Sequence, residues 1–161
     1  MDHSNDEEVE GLFKRIQAEQ NGQLDLLVNN AYAAVKFMMD NERTPIFKLH
    51  PSESWDIINN VGLRNHYICT AWASRMMVER KTGLIVNISS FGGLRYIHNT
   101  PYGIGKAAMD RMAADCAVDL RKQNVAMISL WPGPVKTETI LEGMTGAFSH
   151  LSESSKNMYY L

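Results

Sequence analysis

Three short apolar runs, separated by stretches long enough for helices, constrain the fold of this chain more than any other feature. They are "LDLLVNN" (Leu24 to Asn30), "TGLIVNISS" (Thr82 to Ser90) and "NVAMISLWPGPV" (Asn124 to Val135). An apolar run without alternation suits a strand buried on both faces, and such strands build parallel sheets. The segments around them have helical period. "SNDEEVEGLFKRIQAEQNG" puts Val9, Leu12, Phe13 and Ile16 on one face, with Ser4 and Glu7 in capping-box register and Gly22 as the stop. Ser52 opens a long helix to about Glu79, with Trp55, Ile58, Ile68, Trp72 and Met76 inward. Tyr102 to Lys122 reads as a helix rich in small residues.

"AYAAVKFMMDNERTPIFKLHP" has no clear period and reads as a loop, "FGGLRYIHNTP" as a Gly-rich loop, and the tail from Thr137 as weakly helical and then polar. The order is therefore α-β-α-β-α-β. Each crossover is long enough for a right-handed parallel connection, which predicts an α/β, doubly wound sheet of three strands flanked by helices.

Composition narrows the function classes. The chain is 45% hydrophobic and 21% charged with a net charge of -2, as a globular domain should be. Both signs are scattered, so no basic stripe points to nucleic acid and no polybasic run to a membrane surface. No apolar run approaches the roughly 20 residues of a bilayer span. The acidic opening "MDHSNDEEVE" is the opposite of a secretory n-region. Cys69 and Cys116 stand far apart without a C-x-x-C, and read as reduced thiols. An intracellular, reducing compartment is expected, cytoplasmic or associated with the endoplasmic reticulum. The five histidines lack ligand spacing, so no metal site is expected. The "NIS" sequon at Asn87 lies in an apolar strand and reads as coincidence.

In doubly wound sheets ligands bind beyond the carboxyl ends of the strands. Here those ends read "NNAY", "NISS" and "WPGPVKT", three polar or turn-forming termini on one rim. Just after the second comes "PYGIGKAAMDRM", with Tyr102 and Lys106 one helical turn apart. A free tyrosine has a pKa near 10, so shifting it to 7 needs roughly 4 kcal/mol in favour of the phenolate. An ammonium on the same helix face supplies much of that. A strand-end serine hydroxyl could hold a carbonyl oxygen while the phenol gives up its proton. That set of roles suits carbonyl reduction or alcohol oxidation with a nicotinamide hydride.

Four ordered blocks, "LDLLVNNAY", "GLIVNISSFGG", "PYGIGKAA" and "WPGPVKTE", resemble the short-chain dehydrogenase/reductase family from Asp2 to about Glu142. They match its N-N-A-G strand end, its catalytic serine, its Y-x-x-x-K and its P-G-x-x-x-T turn. The resemblance implies a partial Rossmann-like domain over residues 1–161, with 139–161 a shortened substrate-lid segment. It implies Tyr102 as acid/base and Lys106 as the residue that holds the nicotinamide ribose and lowers the tyrosine pKa. It implies Ser90 as the residue that polarises the substrate oxygen. Spacing to the tyrosine alone would favour Ser89; Ser90 matches if the loop is one residue shorter. The implied cofactor is NADP or NAD, lined by Asn30 and Ala31, cradled by Pro132, Gly133, Val135 and Thr137, with Asp2 near the adenine. The implied substrate is a small carbonyl or alcohol, and the Ala-rich helix implies a homo-oligomer.

The pattern is broken in three places. Tyr32 replaces the glycine of N-N-A-G. Gly62 stands where the family's long helix usually carries an asparagine that holds a relay water; Asn59, Asn60 and Asn65 are near but not at that position. The family's first three strands, its T-G-x-x-x-G-x-G turn and its last strand have no counterpart, so the chain is expected to be the catalytic half of a larger domain. Three readings follow: an NAD(P)(H) oxidoreductase whose activity belongs to a longer chain, a catalytically inactive short form acting as an interaction partner, or an unstable fragment.

Overall fold

The computed structural model describes residues 1–133, 135 and 137. It divides into two units, Met1–Leu130 and Trp131–Leu161. In the first, helix α1 (Asp6–Glu19) leads to strand β1 (Leu26–Asn29), and a short helix α2 (Val35–Asp40) follows. Helix α3 (Pro51–Asn59) runs through a π-helical turn at Asn60–Asn65 into α4 (His66–Arg80). Strand β2 (Leu84–Ile88), helix α5 (Thr100–Leu120) and strand β3 (Ala126–Leu130) complete it. The strands are parallel in the order β1-β2-β3, which bears out a partial Rossmann-like α/β sheet.

Helices α1, α4 and α5 cover one face of this sheet. The core between them holds Val9, Phe13, Ala73, Met76, Met77, Ile85 and Met127. Each large apolar side chain buried here contributes roughly 1.5–3 kcal/mol. The register aligns Asn29, Asn87 and Ser129 in a polar row near the carboxyl ends of the strands. Asn29 Nδ2 donates to Asn87 Oδ1 (2.8 Å) and to Thr70 Oγ1 (2.9 Å), and Asn87 Nδ2 donates to the Met109 carbonyl (3.2 Å). These bonds fix α4 and α5 against the sheet rim that carries the site.

The opposite face differs from the expectation of strands buried on both sides. Leu26, Val28, Ile128 and Leu130 are about half exposed, at 46 to 52%. Only Val86, at the centre of the face, is buried there. The apolar runs reflect parallel pairing, but helices pack on one side alone among the described residues.

Two caps sit in a different register from the expected one. Asn5, not Ser4, caps α1, accepting from the Glu7 and Glu8 amides. Ser4 is engaged upstream, its amide and hydroxyl both donating to the Asp2 carboxylate at 2.8 Å. His50, not Ser52, caps α3, because Pro51 takes the first helical position and the Glu53 amide reaches His50 Nδ1. The single long helix expected over 52–79 is two helices joined by the π turn. Trp55, expected inward, is 40% exposed, while Ile58 of the same helix and Met76 of α4 are buried. Within the stretch read as loop, α2 forms around buried Met38.

Cys69 and Cys116 are free thiols. No helix among the described residues is long and apolar enough to cross a membrane. Among the same residues no group of three or more His, Cys, Asp or Glu is placed to hold a metal.

Candidate active site

The carboxyl ends of β1 and β2 and the first turns of α5 meet at one rim. Helix α5 starts there because Asn99 caps it, its Oδ1 accepting from the Tyr102 amide (3.2 Å), and Pro101 presets the first turn. Tyr102 and Lys106, four residues apart, then share the inner helix face, each 8% exposed. Gly92 in the turn after β2 lets the Tyr102 ring pack: a Cβ there would stand 3.1 Å from Cδ1 and closer still to Cε1.

The two serines that end β2 separate cleanly. Ser89 is buried, and its hydroxyl donates to the Lys106 carbonyl (3.1 Å), a bond that pins the helix. Ser90 is the serine whose side chain favours the Tyr102 phenolate. Its oxygen also accepts from the Gly92 amide (3.1 Å).

The electrostatics run against the expected lowering of the tyrosine. Burial holds the Tyr102 phenol above its ordinary value, Ser90 opposes this, and the Glu42 carboxylate adds to the upward shift. Lys106 is itself desolvated, and burial brings its ammonium down to about 8 against the pull of Asp110. Its Nζ donates to the Ile88 carbonyl (3.0 Å) and lies 5.9 Å from the Tyr102 ring centroid. In this arrangement burial is the largest influence on the phenol.

At the end of β1, Asn30 is exposed and Ala31 half-buried. The Ala31 carbonyl accepts from His66 Nε2 (2.9 Å), which fixes the backbone at the rim. Burial keeps His66 neutral, with its pKa brought down to about 4. Asp2 lies in the exposed turn before α1, its carboxylate held below the usual range by the Ser4 amide and hydroxyl. Pro132, Gly133, Val135 and Thr137 belong to the second unit. There Pro132, Gly133 and Val135 are exposed, and the Thr137 amide donates to the Val135 carbonyl (2.9 Å). The lid segment 139–161 lies outside the described residues.

Several residues at the site carried no signal of their own in the sequence. The His98 ring stands T-shaped against Tyr102, with centroids 4.8 Å apart and 87° between planes. Its Nδ1 pairs with Glu42 Oε2 (2.6 Å), and the Arg43 amide donates to the His98 carbonyl (2.7 Å). Asn59, placed by the π turn, donates from Nδ2 to the Pro101 carbonyl (3.2 Å) and buttresses the first turn of α5. Tyr32 stands 6.4 Å from Tyr102, edge to face. A cavity of about 560 Å³ at the other rim, lined by Thr82, Gly83 and Arg121, contains none of these residues.

The profile described as short chain dehydrogenase matches residues 1–143. Dehydrogenase/reductase SDR family member 1 of Homo sapiens is 52% identical over 143 residues, covering 89% of this chain and 45% of that protein. The Mus musculus protein of the same name is 50% identical with the same coverage. The chain thus spans about half the length of the curated relatives it matches. Among solved structures, ElxO with NADP bound superposes with a TM-score of 0.82 at 28% identity, covering 96% of this chain and 60% of that one.

Proposed function

Because the chain belongs to the short-chain dehydrogenase family, we propose that its site serves an NAD(P)(H)-dependent oxidoreductase acting on a carbonyl or alcohol. One observation supports this above the others. Tyr102 and Lys106 are buried side by side at a strand rim, with Ser90 acting on the tyrosine to favour its phenolate.

The donor set fits a dinucleotide at its nicotinamide end. Lys106 gives one of its three protons to the Ile88 carbonyl, which leaves donors for a ribose diol. Lys106, Asn30 and Ala31 would hold that end, and Asp2 would lie near the adenine. When bound, the dinucleotide supplies a hydride to the carbonyl carbon, or accepts one from the alcohol. The chain's own residues handle the proton. A phenol held above its ordinary value is fully protonated at neutral pH and suited to act as an acid. Tyr102 donates its proton to the carbonyl oxygen as negative charge develops there, and Ser90 donates a second hydrogen bond to that oxygen. Below about pH 8 Lys106 is charged and stabilises the phenolate left behind.

Tyr102→Phe should lower kcat by about 10²–10⁴, the usual worth of a general acid, with an unchanged circular dichroism spectrum. Turnover close to the parent's would sink the assignment. The open sheet face favours a second reading, in which the chain works as an association partner. Absence of dinucleotide binding together with stable complexes on sizing would point there.

A further inference from the structure

We propose that Tyr32 is a positioning residue of this site, its ring face holding the Lys106 ammonium, and that Gly62 is the reciprocal change that admits the ring. This deepens the oxidoreductase reading and rests on it for the catalytic consequence alone.

Lys106 Nζ lies 4.9 Å from the Tyr32 ring centroid, nearer than the 5.9 Å to Tyr102. The Tyr32 and Tyr102 rings form a T-shaped pair with 80° between their planes. Its hydroxyl is used elsewhere, donating to Met38 Sδ (3.4 Å). The ring therefore acts through its face. The Cδ2–Cε2 edge of that ring lies against Gly62 of the π turn. A Cβ at Gly62 would stand 2.6 Å from Tyr32 Cδ2 and closer still to Cε2. No side chain fits at 62 while the ring occupies its place. The two departures noted in the sequence are thus one device.

An ammonium that is 8% exposed has lost most of its water, and attraction to a ring face is strongest under such desolvation. The groups that face Lys106 come from every element around it. They are Tyr32 after β1, neutral His66 of α4, the Ile88 carbonyl of β2, and Tyr102 and Asp110 of α5. Of these, Tyr32 and His66 lie outside β2 and α5, and Tyr32 is the one of the two that sets a ring beside Lys106 Nζ.

The test is an NMR titration of the Lys106 ε-methylene in the 161-residue chain, assigned against Lys106→Met, with no dinucleotide or substrate present. Tyr32→Phe keeps the ring face and should leave the midpoint where it is in the parent. Tyr32→Leu removes the face and should lower the midpoint by about one pH unit. An unchanged midpoint in a folded Tyr32→Leu overturns the proposal. Gly62→Ala gives the second arm. It should displace the ring, lower the midpoint in the same direction and lower Tm, and in a Tyr32→Gly background its cost in Tm should largely vanish. An equal Tm cost in both backgrounds refutes the reciprocity. Because the titration needs no turnover, its failure and that of the oxidoreductase reading are separable.

Discussion

At the scale of single residues, the site is a set of polar groups withdrawn from water and held by one or two bonds each. His66 shows the consequence for stability. Its folded pKa, brought down to about 4 by burial, lies below the unfolded value near 6.5. Above pH 6.5 both states are neutral, and the contribution of His66 to stability is independent of pH. As pH falls from 6.5 towards 4 the unfolded chain takes up a proton that the folded chain refuses, so stability is lost. The loss reaches on the order of 3 kcal/mol by pH 4. Urea unfolding at pH 7 and pH 4.5 should show this drop in the parent and a smaller one in His66→Gln. An identical drop in both would refute the account. Tyr102 and Lys106 were legible as a pair at this scale because one helical turn separates them, whereas spacing alone favoured Ser89 over Ser90. His98, Asn59 and the role of Tyr32 were not. Their partners lie 56, 42 and 74 residues away in sequence, at Glu42, Pro101 and Lys106, and no local period encodes such contacts.

At the scale of elements, the strands and major helices were legible from apolar runs and helical period, whereas their ends and faces were not. Caps depend on which polar side chain is still unengaged when the helix begins, as Ser4 and Asn5 show. The π turn has no compositional mark, and it divides what read as one long helix. The cap that matters most for the site is Asn99, which is fully buried and sets the first turn of α5. Asn99→Ala should cost about 1 kcal/mol of unfolding free energy, measured by urea denaturation. Asn99→Asp should retain most of the cap bond. If Asn99→Ala is neutral, α5 is positioned by packing and by Asn59 rather than by its cap.

At the scale of the whole molecule, the sheet is covered by helices on one face alone among the described residues. Leu26, Val28, Ile128 and Leu130 present a contiguous apolar surface, since Val28 and Ile128 both flank Val86 in the register. Such surfaces drive association. Sedimentation of the chain should show assembly that grows with protein concentration. The double substitution Val28→Thr with Ile128→Thr, which keeps strand propensity, should shift it towards monomer. A parent chain that stays monomeric at high concentration would contradict this. The open face also makes stability a property of the mixture rather than of the chain. Anything that binds it in the folded state alone raises the apparent unfolding free energy by mass action, by about 2.7 kcal/mol at a hundredfold excess over its Kd. Melting temperatures of this protein should therefore climb with its own concentration. A Tm measured in dilute buffer is a lower bound for a crowd of copies.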